Sequence, residues 1–103
     1  MNEDELDLFF KALSDKNRRR IIHYLSKKDD SSLFEVCSAA FSEDGTALAR
    51  QTVTQHLVML EKAGLIKISW KGRTKAHSLN IEDQHVVAAS WLAAYQTKRK
   101  SKS

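Results

Sequence analysis

The sequence predicts one mainly α-helical domain with a small β-hairpin, and three observations lead to this prediction. The chain has 103 residues, a length that suits one hydrophobic core. Apolar residues recur at three- and four-residue spacing over most of the chain, as they do in amphipathic helices. Between Ile66 and Trp70 the spacing changes to alternation, and Lys71-Gly72 then supplies a tight turn before a second strand.

Two helices are predicted near the N-terminus. The apolar positions of the first are Leu6, Phe9, Phe10 and Leu13. The acidic residues that precede them favour the positive end of a helix dipole. Ser14-Asp15 interrupts this helix, and either residue can cap a second helix from Lys16 to about Ser26. We expect the arginines of the second helix to face solvent and its apolar residues to face the core, namely Ile21, Ile22 and Leu25.

Two further helices are predicted in the middle of the chain. Ser32 and Glu35 have the spacing of a capping box, which predicts a third helix that ends near Ala40. The polar stretch Phe41 to Thr46 is typical of a loop. The inward positions of the fourth helix are Val53, Leu57 and Leu60. Gly64 is expected to end this helix in the C-terminal capping position.

The last part of the chain predicts the hairpin, a fifth helix and a basic tail. The hairpin ends at Leu79, and the helix follows from Ile81. Its apolar stripe consists of Val87, Trp91 and Tyr95. We expect residues 1–97 to form one domain and residues 98–103 to be disordered. No stretch reaches the roughly 20 apolar residues that cross a bilayer, and the N-terminus is acidic where a signal peptide is basic, so we expect a cytoplasmic protein.

The formal net charge of +4 is unevenly distributed along the chain. Acidic stretches at residues 1–15 and 29–48 alternate with basic stretches at residues 16–28 and 49–79. Clustered positive charge on a folded domain suits a surface that faces nucleic-acid phosphates, because neutralising phosphates releases counterions. A solvated protein surface would show the same clustering, so charge alone leaves both interpretations open.

Four helices followed by a hairpin, with a glycine stop between them, are the element order of a winged helix-turn-helix. The fourth helix would then read DNA, because the face opposite its apolar stripe carries amides and hydroxyls that suit a major groove. The predicted contacts on this helix are Arg50, Gln51, Thr52, Thr54 and Gln55, with Met59 and Lys62 on the same face. The predicted backbone contacts at the hairpin tip are Lys71, Arg73 and Lys75. An ordinary solvated helix face is the alternative.

Three segments resemble the ArsR-type (arsenic-repressor-like) transcriptional regulators. Residues 50–66, RQTVTQHLVMLEKAGLI, are similar to the family's recognition helix and first wing strand, whose pattern is roughly Q-x-V-S-x-H-L-x-x-L-x-x-A-G-L-V. Residues 72–79, GRTKAHSL, resemble the wing, and residues 11–18, KALSDKNR, resemble the junction between the first two helices. The resemblance covers about residues 6–96 and implies a repressor that binds a two-fold operator.

The same resemblance implies a homodimer formed through the first and last helices. This agrees with the apolar stripes on both helices, which exceed what a small domain needs for its own core. The predicted interface residues are Leu6, Phe9, Phe10, Leu13, Val87, Trp91 and Tyr95. Burial of these side chains in the core of one chain is the competing explanation.

Many ArsR-type regulators sense metals, but their ligand pattern is incomplete in this sequence. Cys37 is the one cysteine, so the cysteine cradle of the third helix is missing. Asp83 and His85 match the first half of the family's zinc pattern, whereas its second half falls on Gln96 and Arg99. A cation opposes metal binding, and we therefore expect no metal and no other cofactor.

Catalysis is not expected, because the sequence groups no nucleophile with a base and no glycine-rich phosphate loop. Two alternatives to a simple repressor remain open. One is a metal- or redox-responsive repressor that uses Asp83, His85 or Cys37. The other is a winged helix that docks to proteins without DNA, which predicts DNA affinity that is absent or lacks steep salt dependence.

Overall fold

The computed structural model describes residues 2–41 and 48–96, except for the side chains of residues 82–85 and 87. Over these residues the chain forms five helices and one hairpin in the predicted order. They are α1 (Glu3–Leu13), α2 (Lys16–Lys27), α3 (Leu33–Phe41), α4 (Arg50–Lys62), β1 (Ile66–Lys71), β2 (Thr74–Leu79) and α5 (Glu82–Ala93). The predicted fold class is therefore confirmed. The predicted tail, residues 98–103, and residues 42–46 of the predicted loop lie outside the described residues.

The core lies where α2, α3 and α4 pack against one another and against the hairpin, with α1 packed on α2 and α4. The inward positions predicted for α4 are confirmed, since Val53, Leu57 and Leu60 are buried. In α2, Ile21 is fully buried, while Ile22 is half-buried. Each fully buried side chain of this size stabilises the fold by about 1.5–3 kcal/mol relative to its exposed state. This core holds α4 in a fixed orientation on the surface.

The end of α3 corrects one prediction. Phe41 is the last residue of α3 and not the start of a loop, and its ring is fully buried. The guanidinium of Arg20 lies 5.8 Å from the ring centroid and donates a 3.3 Å hydrogen bond to the carbonyl of Ala40. The polar residues after Phe41 had indicated an end near Ala40. Burial of the Phe41 ring extends the helix by one residue.

Capping contacts confirm the predicted start of α3 and the predicted end of α4. The Ser32 hydroxyl accepts a 3.1 Å hydrogen bond from the Glu35 N–H, and the Glu35 carboxylate accepts a 2.9 Å bond from the Ser32 N–H. Gly64 follows α4 with φ of 77°, in the left-handed region that favours glycine. The Leu65 N–H then bonds the Leu60 carbonyl at 3.0 Å, so the chain turns directly from α4 into β1.

Arg18 corrects the prediction that the arginines of α2 face solvent. Its side chain is only 13% exposed. The Nε group donates to the carbonyl of Ala12 at 2.8 Å, and Nη2 donates to the carbonyl of Lys11 at 2.9 Å. Nη1 lies 3.2 Å from Nδ1 of His56. One guanidinium therefore joins the C-terminal end of α1 to α4, where a cation also suits the helix dipole.

The hairpin is a regular antiparallel pair that is also tied to the α2–α3 connection. Its register runs from Ile66 opposite Leu79 to Lys71 opposite Thr74, which leaves a two-residue loop. Gly72 opens this loop with φ of 64°, as the first position of a type II′ turn requires. The backbone of His77 in β2 exchanges hydrogen bonds of 3.0 and 2.8 Å with Ser31, which anchors the hairpin base to the helical core.

Asp15 is the N-cap of α2, and its carboxylate accepts hydrogen bonds from the N–H groups of Asn17 (2.7 Å) and Arg18 (3.2 Å). Partial burial raises the pKa of Asp15, but these two bonds and the charge of Arg18 outweigh it and hold the pKa below its ordinary value. Asp15→Ala is expected to lower the free energy of unfolding by about 1 kcal/mol at neutral pH. Urea denaturation measures this change.

The substitution Asp15→Asn separates the cap from the charge, because asparagine keeps an acceptor oxygen. A depressed pKa in the folded state stabilises the protein fully above the unfolded-state value, near pH 4, and this stabilisation is lost as the pH falls through the folded-state pKa. We expect the Asn variant to match the native chain more closely than the Ala variant at neutral pH. It should also lose less stability in acid, and an identical acid dependence would contradict this assignment.

Candidate nucleic-acid interface

The outward face of α4 carries four of the five contacts predicted on this helix. Arg50, Gln51, Thr54 and Gln55 are exposed. Thr52 is half-buried at the flank of the helix, so its hydroxyl is less accessible than the sequence indicated. The four exposed side chains lie in the first two turns of α4 and can donate or accept hydrogen bonds.

The N-terminus of α4 has features that suit an anion. Its N-cap is Ala49, which makes no side-chain capping bond, and its first turn contains no acidic residue. The first N–H groups of a helix have no partner within it, and together with the helix dipole they attract phosphate. Arg50 adds a positive charge at the same end.

The three cations predicted at the hairpin tip are all exposed, but they differ in their contacts. Nζ of Lys71 lies 3.5 Å from a carboxylate oxygen of Asp30. A hydrogen bond from Ser78, followed by the charge of Lys71, lowers the pKa of Asp30. Nζ of Lys75 lies 5.5 Å from the centroid of the Trp70 ring. Arg73 has no ion pair or hydrogen bond with the described residues, so its guanidinium is available.

A groove with a volume of 370 Å³ separates α4 from the hairpin. Its lining residues are Leu33, Thr54, Leu57, Val58, Ile68, Trp70, Arg73, Thr74, Lys75 and His77. Thr54 on one wall and Arg73 and Lys75 on the other are all predicted DNA contacts. The structure therefore brings one predicted contact of α4 together with two predicted contacts of the hairpin tip. The lining does not include Arg50, Gln51, Thr52, Gln55 or Lys71.

Two residues of this surface were not singled out by the sequence. Val58 is exposed, and it lies one turn beyond Thr54 on the wall of the groove. Its spacing from Thr54 could have identified it, because residues four apart share a helix face. Trp70 continues the alternation of Ile66 and Ile68, which indicated an inward side chain, yet it is 64% exposed. Burial along β1 falls from Ile66 towards the hairpin tip, so the inner face of the hairpin is left open at Trp70.

An aromatic cluster lies on the side of the chain formed by α1 and α5. The rings of Phe10 and Trp91 have centroids 5.6 Å apart, and those of Trp91 and Tyr95 are 5.1 Å apart. Phe10 and Trp91 are each 38% exposed, and Tyr95 is 67% exposed. Contiguous exposed apolar surface of this kind marks interaction sites.

The other predicted interface residues are less accessible. Leu6 and Phe9 are buried within one chain, and Leu13 is half-buried. This agrees with the alternative that these side chains belong to the core of one chain. The side chain of Val87 lies outside the described residues. Among the described side chains of α5 only Ala88 is buried, and this helix exposes Val86 and Leu92. Because helical stability in proteins comes mainly from packing, a helix this exposed favours a partner.

The residues of the alternative sensing sites are only partly described. Burial raises the pKa of the Cys37 thiol, and the charge of Arg50 opposes this effect. A raised pKa keeps a thiol protonated and less reactive. Among the side chains that the structure describes, no three histidine, cysteine or acidic groups meet as a metal cluster. Arg99 and the side chains of Asp83 and His85 lie outside the described residues.

The same described residues include no helix long and apolar enough to span a membrane.

Comparison with known proteins gives a consistent result. A family model described as a helix-turn-helix domain matches residues 13–68. The uncharacterized HTH-type transcriptional regulator YuzN of Bacillus subtilis (strain 168) is 31% identical over 86 residues, which cover 84% of this chain and 94% of YuzN.

Two solved structures share the fold over most of the chain. A crystal structure of the ArsR family transcriptional regulator RHA00566 has a TM-score of 0.70 and 28% identity, with 87% of this chain and 90% of that chain covered. The homodimeric winged helix-turn-helix DNA-binding domain of Mb0332 from Mycobacterium bovis, a possible ArsR-family regulator, has a TM-score of 0.65 and 20% identity. There the coverage is 92% of this chain and 88% of that one.

Proposed function

The chain belongs to the ArsR-type winged helix-turn-helix transcriptional regulators, and from this premise we propose that it is a repressor that binds a two-fold operator as a homodimer. Helix α4 enters the major groove, and the hairpin, as the wing, contacts the backbone. The operator-bound dimer blocks transcription.

One observation carries this proposal. Thr54 on the exposed face of α4 borders the same groove as Arg73 and Lys75 of the wing, which favours a single duplex that meets both elements. The first turn of α4 contains no acidic residue, and its N-terminus has no side-chain cap. A module that docks only to proteins would need neither feature. Both features favour a polyanion.

The two parts of the surface have different roles. Gln51 and Gln55 lie one turn apart on α4, and each can pair through two hydrogen bonds with an adenine edge. Arg50 and Thr54 flank them and can reach guanine, a thymine methyl group or phosphate. Arg73 and Lys75 neutralise phosphates, which raises affinity without carrying sequence information.

The dimer is supported by the aromatic cluster of Phe10, Trp91 and Tyr95, together with the exposed face of α5. A homodimeric structural neighbour adds further support. Two-fold symmetry presents two copies of α4 to one duplex, so we expect half-sites separated by whole turns of about 34 Å.

Alanine substitutions test these roles. Gln51→Ala and Gln55→Ala are expected to reduce discrimination against a wrong base by about 1–3 kcal/mol at one position, with little change in the salt dependence of binding. Arg73→Ala and Lys75→Ala should weaken binding to all sequences alike and reduce the salt slope by about 1 each. Titration of matched and mismatched duplexes at several salt concentrations measures both quantities.

Lys71→Ala is the matched control for the wing. Because Lys71 is already paired with Asp30 and lies away from the groove, its loss should change the salt slope less than the loss of Lys75. The reverse pattern, with base discrimination set by the wing and the salt slope by the glutamines, would overturn the role assignments.

A further inference from the structure

The groove between α4 and the wing has the chemistry of a small-molecule site. Its floor is apolar and includes Leu33, Leu57 and Ile68, while the cations Arg73 and Lys75 border it on the wing side. Its volume of 370 Å³ is at the lower end for ligand pockets in proteins, which run from about 300 to 1,000 Å³. An apolar cavity with a few convergent polar groups is the usual form of such a pocket.

His77 supplies a polar group inside the groove. Its side chain lines the groove although the residue is only 4% exposed. Nδ1 lies 2.8 Å from the carbonyl of Ser31, and since a carbonyl can only accept, Nδ1 carries the proton. In the neutral tautomer with this proton, Nε2 is an acceptor, and Nε2 makes no hydrogen bond with the described residues. Buried polar atoms without a partner are uncommon and call for an explanation.

The apolar floor argues against DNA as the occupant of the groove. A phosphate brought onto leucine and isoleucine side chains would lose its hydration without gaining hydrogen bonds, which is unfavourable. Phosphates are better placed at the rim, on Arg73 and Lys75. A molecule that fills the groove must therefore combine an apolar body with one anionic end.

We propose that this groove binds a small planar aromatic carboxylate that carries a hydroxyl group at its far end. The ring system lies on the apolar floor beside Trp70, and the carboxylate meets Arg73 and Lys75. The hydroxyl donates to Nε2 of His77. Lys75 and His77 are two residues apart on one face of β2, so their backbone positions are about 7 Å apart, which suits a two-ring compound substituted at both ends.

A molecule bound in the groove would compete with DNA, because Arg73 and Lys75 would bind its carboxylate and would no longer bind DNA phosphates. This regulatory consequence rests on the proposed function, whereas ligand binding does not. The bound molecule would lower operator affinity and act as an inducer of the repressor.

Calorimetric titration of the full chain with 6-hydroxy-2-naphthoate tests the site directly. We expect saturable binding with a Kd below about 1 mM. The neutral 6-hydroxy-2-naphthamide and the probe 2-naphthoate, which lacks the hydroxyl, should each bind at least about 5-fold more weakly. Lys75→Gln should weaken binding of the hydroxynaphthoate about 10-fold, because a charged hydrogen-bonding partner is lost.

Lys71→Gln is the matched control, since it removes a neighbouring wing lysine that does not line the groove, and it should leave the Kd within about 2-fold. Absence of saturable binding, equal affinity for acid and amide, or equal losses in the two lysine variants would each overturn the site. Both variants exchange exposed side chains, so unfolding is not expected to obscure the result.

Competition with DNA separates this inference from the proposed function. If the chain binds DNA and the hydroxynaphthoate displaces it, both are supported. If the hydroxynaphthoate binds as predicted but no duplex binds, the proposed function fails and the site stands. If DNA binds and the hydroxynaphthoate occupies the groove without displacing it, the regulatory role is overturned.

Discussion

Trp91→Glu is expected to convert the proposed dimer into monomers and to weaken operator binding by about 10²–10⁴-fold, the range over which linking two binding modules raises affinity. Trp91 packs against Phe10 and Tyr95 in the exposed cluster. A carboxylate there would have to be buried without a partner in the dimer, which is unfavourable. Sedimentation equilibrium and DNA titration measure the two effects.

Two further variants keep this prediction falsifiable. Tyr95→Glu alters the most exposed ring of the cluster, beyond the end of α5, so it should weaken the dimer without disturbing the fold of one chain. Trp70→Ala removes a tryptophan of the wing that is more exposed than Trp91, and it should leave the oligomeric state unchanged. A dimer that survives both Trp91→Glu and Tyr95→Glu would place the interface elsewhere.

Arg18→Ala is expected to destabilise the folded chain by about 3 kcal/mol, because it removes several hydrogen bonds from a charged donor. Each such bond contributes about 1.5–3 kcal/mol, and contributions within one network do not add. The Ala12 carbonyl and Nδ1 of His56 would lose the hydrogen bond that Arg18 supplies, and the Lys11 carbonyl would keep its bonds from the N–H and hydroxyl of Ser14. Urea denaturation of the purified variant measures the change. Arg18→Lys should recover little of it, because one ammonium cannot span three acceptors.

Arg19→Ala is the control for Arg18. Arg19 is the next residue in α2, is exposed, and has one hydrogen bond to the carbonyl of Leu13. Its loss is expected to cost less than about 1 kcal/mol. Equal effects of the two substitutions would show that the contacts of Arg18 contribute no more than helix propensity and surface charge.

The fold was predictable from the sequence where local chemistry decides it. The capping box of Ser32 and Glu35, the stop at Gly64 and the inward stripe of α4 each depend on residues that are close together in the sequence. Such signals operate before any tertiary contact forms, which explains why the predicted order of helices and strands is confirmed.

The remainder depends on contacts between distant parts of the chain. Arg18 meets His56 across 38 positions, and no periodicity within α2 distinguishes this arginine from Arg19, which is exposed. Phe41 follows a helical stripe but precedes polar residues, and only the packing of the core decides that its ring is buried. The groove combines side chains of α3, α4 and both strands, so composition could not predict its apolar floor.

The candidate DNA surface was predictable in outline for a related reason. Residue types on the outer face of α4 indicated its chemistry, and the helical period identified Gln51 and Gln55 as outward. Their position relative to Arg73 and Lys75 follows from the register of the hairpin and its anchor at Ser31, which the sequence does not reveal.

Selection of bound duplexes from a random DNA pool tests most directly the claim that α4 reads bases while the wing neutralises phosphates. We expect enrichment of one sequence with two-fold symmetry and with half-sites about 34 Å or a multiple of this apart. Affinity for that sequence should fall steeply with salt, with a slope of about −0.9 for each phosphate contact. A pool that remains unenriched, or a winning duplex whose affinity does not change with salt, would contradict the account.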